Sequence, residues 1–164
     1  MLTVYGRMLL AASGSAVLLI TALGFQYLGG LAPCPMCVWQ RWPHLAAVLV
    51  GALGVTVLWR QRRLMAGLGT LALLATAGIG AFHVGVEQGW WQGPSTCSAA
   101  SPVGQSTDEL MAAIMEAPLV RCDEIVWSLF GISMAGWNAL LSLGLAALWA
   151  ASVHWHRMPF DREA

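Results

Sequence analysis

The stretch MLLAASGSAVLLITALGFQYLGGL, from Met8 to Leu31, contains no charged side chain. As a helix rising about 1.5 Å per residue it outruns the roughly 30 Å hydrocarbon core of a bilayer. A signal-peptide core is only about 7 to 15 residues long, and no clear small-x-small cleavage site follows, so the stretch reads as an uncleaved anchor. Three further apolar runs follow, Trp42 to Trp59, Leu64 to Val86 and Trp127 to Val153, each reaching the length of about 18 residues that a span requires. The second is the shortest and carries His44 near its start, so its outer boundary is the least sharply drawn.

Composition points the same way. Of the 164 residues 58% are hydrophobic and 10% charged, against about 25% charged in an ordinary soluble domain, and so few charges cannot clothe a soluble globule of this size. Net charge is zero and the basic residues, all Arg, are scattered, which leaves no electrostatic footprint for nucleic acid. The expected fold is an all-α integral membrane protein, residues 1–164 forming one four-transmembrane-helix bundle in the lipid bilayer. Small residues such as Gly67, Gly69, Gly78 and Gly80 would let its helices approach closely, and Trp90, Trp91, Trp127 and Trp155 fall near span ends, at headgroup level.

Charge sets the expected direction. The link Arg60-Gln61-Arg62-Arg63 between the second and third runs is short and basic, the mark of a cytoplasmic loop. Arg7 before the first span, and Arg157 and Arg162 after the fourth, put both termini on the same side. Outside lie residues 30–41 and the longer segment 87–126. They hold only Arg41 and Arg121 among the arginines, but Glu87, Asp108, Glu109, Glu116, Asp123 and Glu124 among the acids.

All four cysteines fall in those outer segments, Cys34 and Cys37 in the first, Cys97 and Cys122 in the second. In bacteria that face is oxidising, and an even count suits pairing, although four cysteines permit three pairings. For Cys97 and Cys122 a structural staple and a redox role are both open. Cys34-Pro35-Met36-Cys37 closes too small a ring to restrain a short loop usefully, whereas a Cys-x-x-Cys pair with one lowered pKa suits thiol-disulfide cycling. A zinc site would normally bring a second closely spaced pair, so no metal is expected.

Arg41 stands four residues after Cys37. If that segment is helical, the guanidinium stacks over the sulfur and, with the helix dipole, favours a thiolate there; otherwise Arg41 is a cation reaching for headgroups. Pro43 fits a first helical turn better than an interior, which would start the helix at Trp42 and leave Cys37 in a turn. In the second outer segment Ser106 to Glu109 forms a capping-box pattern, and Leu110, Ile114 and Ala117 repeat at helical spacing before Pro118. A short amphipathic surface helix is expected there.

These residues resemble the disulfide bond formation protein B (DsbB) family of bacterial inner-membrane quinone reductases. The resemblance spans nearly the whole chain and is most specific at Pro33-Cys34-Pro35-Met36-Cys37 with Gln40-Arg41, and at Arg121-Cys122-Asp123-Glu124 leading into Gly131-Ile132-Ser133-Met134. It implies an enzyme whose periplasmic partner, a reduced DsbA-like dithiol oxidase, attacks a Cys97–Cys122 disulfide at Cys97. Cys122 then attacks a Cys34–Cys37 disulfide at Cys34 and releases Cys37 toward a membrane quinone, ubiquinone ahead of menaquinone, with Arg41 supporting the quinone.

His83 and Glu87, one turn apart at the outer end of the third span, are candidates near the quinone, since ionisable groups in spans are costly and usually purposeful. The family fixes no residue at His83. A vitamin K epoxide reductase-like enzyme would carry its Cys-x-x-Cys after the loop cysteines, whereas here it comes first. A non-catalytic four-span protein would keep its loop disulfides merely as braces.

Overall fold

The computed structural model describes residues 4–97 and 120–154, with Ser106, Asp108, Met111 and Met115 between them. Four long helices dominate: α1 Val4–Tyr27, α2 Pro35–Val55, α3 Arg62–Glu87 and α4 Met134–His154. A 3-10 turn, Trp59–Gln61, links α2 to α3. A two-residue hairpin, β1 Ser128–Leu129 with β2 Ile132–Ser133, leads into α4. Its turn, Phe130 and Gly131, has both φ angles positive, the geometry that matches the twist of a tight hairpin. The surface helix expected after Ser106 falls for the most part outside the described residues.

Each helix packs on its sequence neighbours, and α4 closes back on α1. Among the described residues, α1, the segment Trp59–Glu87 and α4 through Val153 are long and apolar enough to cross a membrane. α2 has comparable length, 21 residues, but its outer half is diluted by Gln40, Arg41 and His44.

The packing is that of a protein dissolved in lipid. Leu9, Val17, Ile20, Leu49, Leu71 and Leu143 are exposed, while Ser15, His44, Thr76, His83 and Ser142 are buried. In water that distribution would be costly on both counts; in hydrocarbon, helices join through small residues and hydrogen bonds. The lower core shows the small-residue rule directly. Trp149, fully buried, lies on Gly69, where a Cβ would stand 2.5 Å from the indole ring. Gly54 gives similar room to Met8 and Met65. The Arg7 guanidinium donates to the Ala151 carbonyl at 3.2 Å, tying the start of α1 to the end of α4, where a cation is favoured by the exposed carbonyls.

Candidate functional site

Helix α2 begins at Pro35, not at Trp42. Proline suits the first helical position because its missing N–H has no partner there anyway, and Cys34 is the N-cap, in extended conformation. The Cys34 sulfur accepts the Cys37 backbone N–H at 3.1 Å, as a capping side chain does. Pro43 therefore lies inside the helix, and Cys37 sits in the first turn.

Residues 90–97 and 120–124 of the second outer segment lie against this turn. Trp91 stacks on Phe82 with centroids 5.5 Å apart and donates its indole N–H to the Phe82 carbonyl at 2.9 Å. Its ring covers Gly85, where a side chain would collide with it. The chain then passes Gly93, packed near Val86 and Cys97, and enters a 3-10 turn, Ser95–Cys97. Cys97 and Cys122 are joined in a disulfide, 25 residues apart in sequence, while Cys34 and Cys37 are free thiols. Cys34, Cys97 and Cys122 are buried in one cluster with Met36 and Val86, and Cys37 packs at its side.

In this dithiol form the two first-loop sulfurs are unequal. Both precede the apolar run that begins at Trp42, outside the membrane-spanning part of α2. A hydrogen bond from the Cys34 side chain is the largest influence holding the Cys37 thiol below its ordinary range, with burial opposing it and Arg41 contributing least. The same bond, followed by burial, pushes Cys34 well above that range. Cys37 is thus the sulfur that ionises first. Iodoacetamide labelling of Cys37 in the reduced protein is expected to persist below the pH of about 8.5 at which an ordinary thiol is half ionised. Removing the donor in Cys34→Ala should move the labelling midpoint upward; an unmoved midpoint would show that Cys34 is not the cause.

Arg41 directs its guanidinium to Gln26 of α1 at 2.6 Å, so its closest tie is across the bundle and not to the sulfur one turn before it. Arg41 and Cys37 border a cavity of about 340 Å³ between α1, α2 and α4, whose walls are mostly apolar, including Leu18, Phe25 and Leu141. That size and lining suit a small organic ring. A second, smaller cavity reaches Cys34 and Glu87.

His83 lies between the two cysteine pairs. Its Nε2 is 3.1 Å from the Cys122 carbonyl and 3.7 Å from the Cys34 sulfur, and its ring also borders the larger cavity. Its tautomer follows from a chain of hydrogen bonds. Thr76 gives its single hydroxyl hydrogen to the Gln40 carbonyl at 3.0 Å, so Asn138 must donate to Thr76, at 3.2 Å, and it also donates to Gln40 Oε1 at 2.7 Å. Gln40 then presents its NH₂ to the Met36 carbonyl at 3.2 Å and to His83 Nδ1 at 3.1 Å. Nδ1 accepts, so the proton is on Nε2, aimed at Cys122. His44 completes the chain, donating Nε2–H to Asn138 Oδ1 at 2.9 Å.

The ligand atoms of Cys34, Cys37 and His83 lie within 4.8 Å of one another, a spacing a soft metal ion could use. In this structure the imidazole nitrogen nearest the sulfurs carries a proton and is directed at the Cys122 carbonyl. Glu87, the other titratable candidate, accepts a hydrogen bond from the Ser133 hydroxyl, which joins the end of α3 to the start of α4. Gln26, Gln40, Thr76 and Asn138 were not among the expected site residues. For Gln26, Thr76 and Asn138 the signal was present as polar side chains inside apolar runs, but Gln40 falls in the outer segment and nothing in sequence pairs residues 43 or 98 positions apart.

The sequence model of the family described as "Disulfide bond formation protein DsbB" matches residues 6–152. Disulfide bond formation protein B 2 of Pseudomonas aeruginosa is 30% identical over 152 residues, covering 89% of this chain and 88% of its own. Disulfide bond formation protein B of Methylococcus capsulatus is 32% identical over 148 residues, covering 80% and 83%. That of Verminephrobacter eiseniae is 34% identical over 148 residues, covering 83% and 80%. No solved structure matches the chain at a significant level. Two cysteine pairs packed together at one end of a lipid-adapted helical protein, matched over nearly its full length, make this chain a member of the DsbB family of membrane oxidoreductases that form disulfide bonds.

Proposed function

We propose that the protein is a thiol:quinone oxidoreductase that reoxidises a periplasmic DsbA-like dithiol oxidase and passes its electrons through two cysteine pairs to a membrane quinone. The observation that carries this reading is the continuity of the path. The Cys97–Cys122 disulfide packs on Cys34, the Cys34 sulfur accepts the Cys37 backbone N–H, and Cys37 borders the large apolar cavity.

Each exchange conserves electrons. A partner thiolate bonds to Cys97 and the Cys97–Cys122 bond breaks, its electron pair leaving on Cys122. Cys122 then bonds to Cys34 of an oxidised Cys34–Cys37 pair, and that bond breaks with its pair on Cys37. Cys37, in the first turn of α2 with Arg41 one turn on, is favoured as a thiolate by the helix start and that cation, which makes it the better leaving sulfur. Arg41 and His83 line the cavity in which the quinone ring would be held, with Cys37 at its wall. A bound quinone supplies the sink for two electrons and two protons.

Four spans in the bacterial inner membrane, with both termini and the arginine link cytoplasmic, would place the cysteines in the periplasm. The helices support this, since α2 carries Cys37 in its first turn and runs away toward the Arg60–Arg63 link, from which α3 returns to Glu87. Ubiquinone is the expected acceptor ahead of menaquinone. The test supplies purified protein with a reduced DsbA-like oxidase and a soluble ubiquinone analogue, following quinol optically. Catalytic turnover is expected, and its absence in the folded protein would overturn the reading.

A further inference from the structure

The polar chain from half-buried Asn138 through buried Gln40 and His83 ends on the junction of the two cysteine pairs, and every member has a defined direction. Resting on the thiol:quinone reading, we infer that His83, held as its Nε2–H tautomer by Gln40, docks the Cys122 backbone on Cys34 and donates a hydrogen bond to the Cys34 sulfur as it leaves in the exchange between the pairs. The step concerned is the resolution of a Cys34–Cys122 bridge once Cys97 is a free thiol, as it is in the fully reduced protein or after the partner's second thiol has displaced it and closed the partner's own disulfide. The Cys97 thiolate attacks the Cys122 sulfur, the Cys97–Cys122 bond forms, the Cys34–Cys122 bond breaks, and the electron pair goes to Cys34. No external oxidant is consumed.

The structure holds the arrangement that follows this step. Cys97 and Cys122 are bonded, Cys34 is free, and His83 Nε2 stands 3.7 Å from its sulfur, its one hydrogen being shared with the nearer Cys122 carbonyl. Both His83 and Cys34 are buried, so water offers the departing thiolate little, and an oriented N–H in a low-dielectric site has a correspondingly large effect. The contact with the Cys122 carbonyl serves register. It fixes the backbone of the attacked cysteine against Cys34, and an error of about 1 Å in such a geometry is enough to slow an in-line exchange. Gln40 acts through His83, because without its NH₂ the imidazole could present a lone pair to Cys122 instead of a hydrogen.

A single-turnover experiment separates this role from the wider reading. Fully reduced protein is mixed with excess soluble ubiquinone analogue while quinol is followed optically. Acid-quenched samples are alkylated and mapped for the Cys34–Cys122 bridge. The first equivalent of quinol draws on Cys34 and Cys37; the second requires the loop pair to hand over its electrons. In His83→Leu the ratio of second to first rate is expected to fall about tenfold or more, with the bridge accumulating. His83→Gln, whose amide nitrogen can occupy the place of Nε2, should restore the ratio and clear the bridge. An unchanged ratio in His83→Leu, or equal defects in the Leu and Gln variants, would overturn the inference. A parent protein that yields no first equivalent would overturn the thiol:quinone reading itself.

Discussion

Cys37→Ala is expected to reduce quinol formation to background, a fall of at least about a thousandfold, as for loss of a nucleophile whose place no neighbour can take. Cys34 cannot substitute. It is buried behind the helix start as the N-cap of α2 and does not border the larger cavity, whereas Cys37 does. The pKa asymmetry acts in the same direction, since Cys34 is held up by the interaction that lowers Cys37. The variant also lacks any Cys34–Cys37 disulfide, so a Cys122 thiolate released by the partner has nothing to attack. Complexes linked to the partner through Cys97 should therefore accumulate beyond the parent level, visible on non-reducing gels. Normal quinol formation by Cys37→Ala would show that electrons leave by another route.

Cys122→Ala should break the circuit at its other end. With the Cys97–Cys122 bond gone, the partner's dithiol meets no disulfide in the second loop, and its oxidation is expected to fall to background. The first pair is untouched, so dithiothreitol should still drive quinol formation in this variant while failing to do so in Cys37→Ala. The two substitutions thus dissociate partner oxidation from quinone reduction. Closing a loop of 25 residues is worth about 3.5 kcal/mol on a chain-entropy basis, so the tie between residues 97 and 122 will loosen, but the cores of α1 to α4 do not depend on it. Continued oxidation of the partner by Cys122→Ala would exclude the second pair as the entry point.

Sequence patterns were most informative where the physics is one-dimensional. Whether a run of residues can cross lipid depends on its own hydropathy and length, and the side on which a short loop stays depends on its arginines. That made the long helices and the grouping of Cys34, Cys37, Cys97 and Cys122 legible from the chain alone. The start of α2 was harder. Pro43 argued for a beginning at Trp42, but Pro35 at the first position and Cys34 as cap stabilise an earlier one, and helix packing carries α2 through the later proline. Arg41 was legible as a candidate beside Cys37, and it borders the larger cavity, though its partner Gln26 on α1 was not legible.

By itself, then, the order of the amino acids determined the solvent, the number of long apolar runs and the end of the molecule at which sulfur chemistry would collect. Only the tertiary structure decided which cysteines are bonded, that Cys34 caps a helix, and that Gln40, His83 and Asn138 form one directed chain. The reason is that hydropathy and charge act on each segment separately, whereas a hydrogen bond between buried groups requires two helices to have already met.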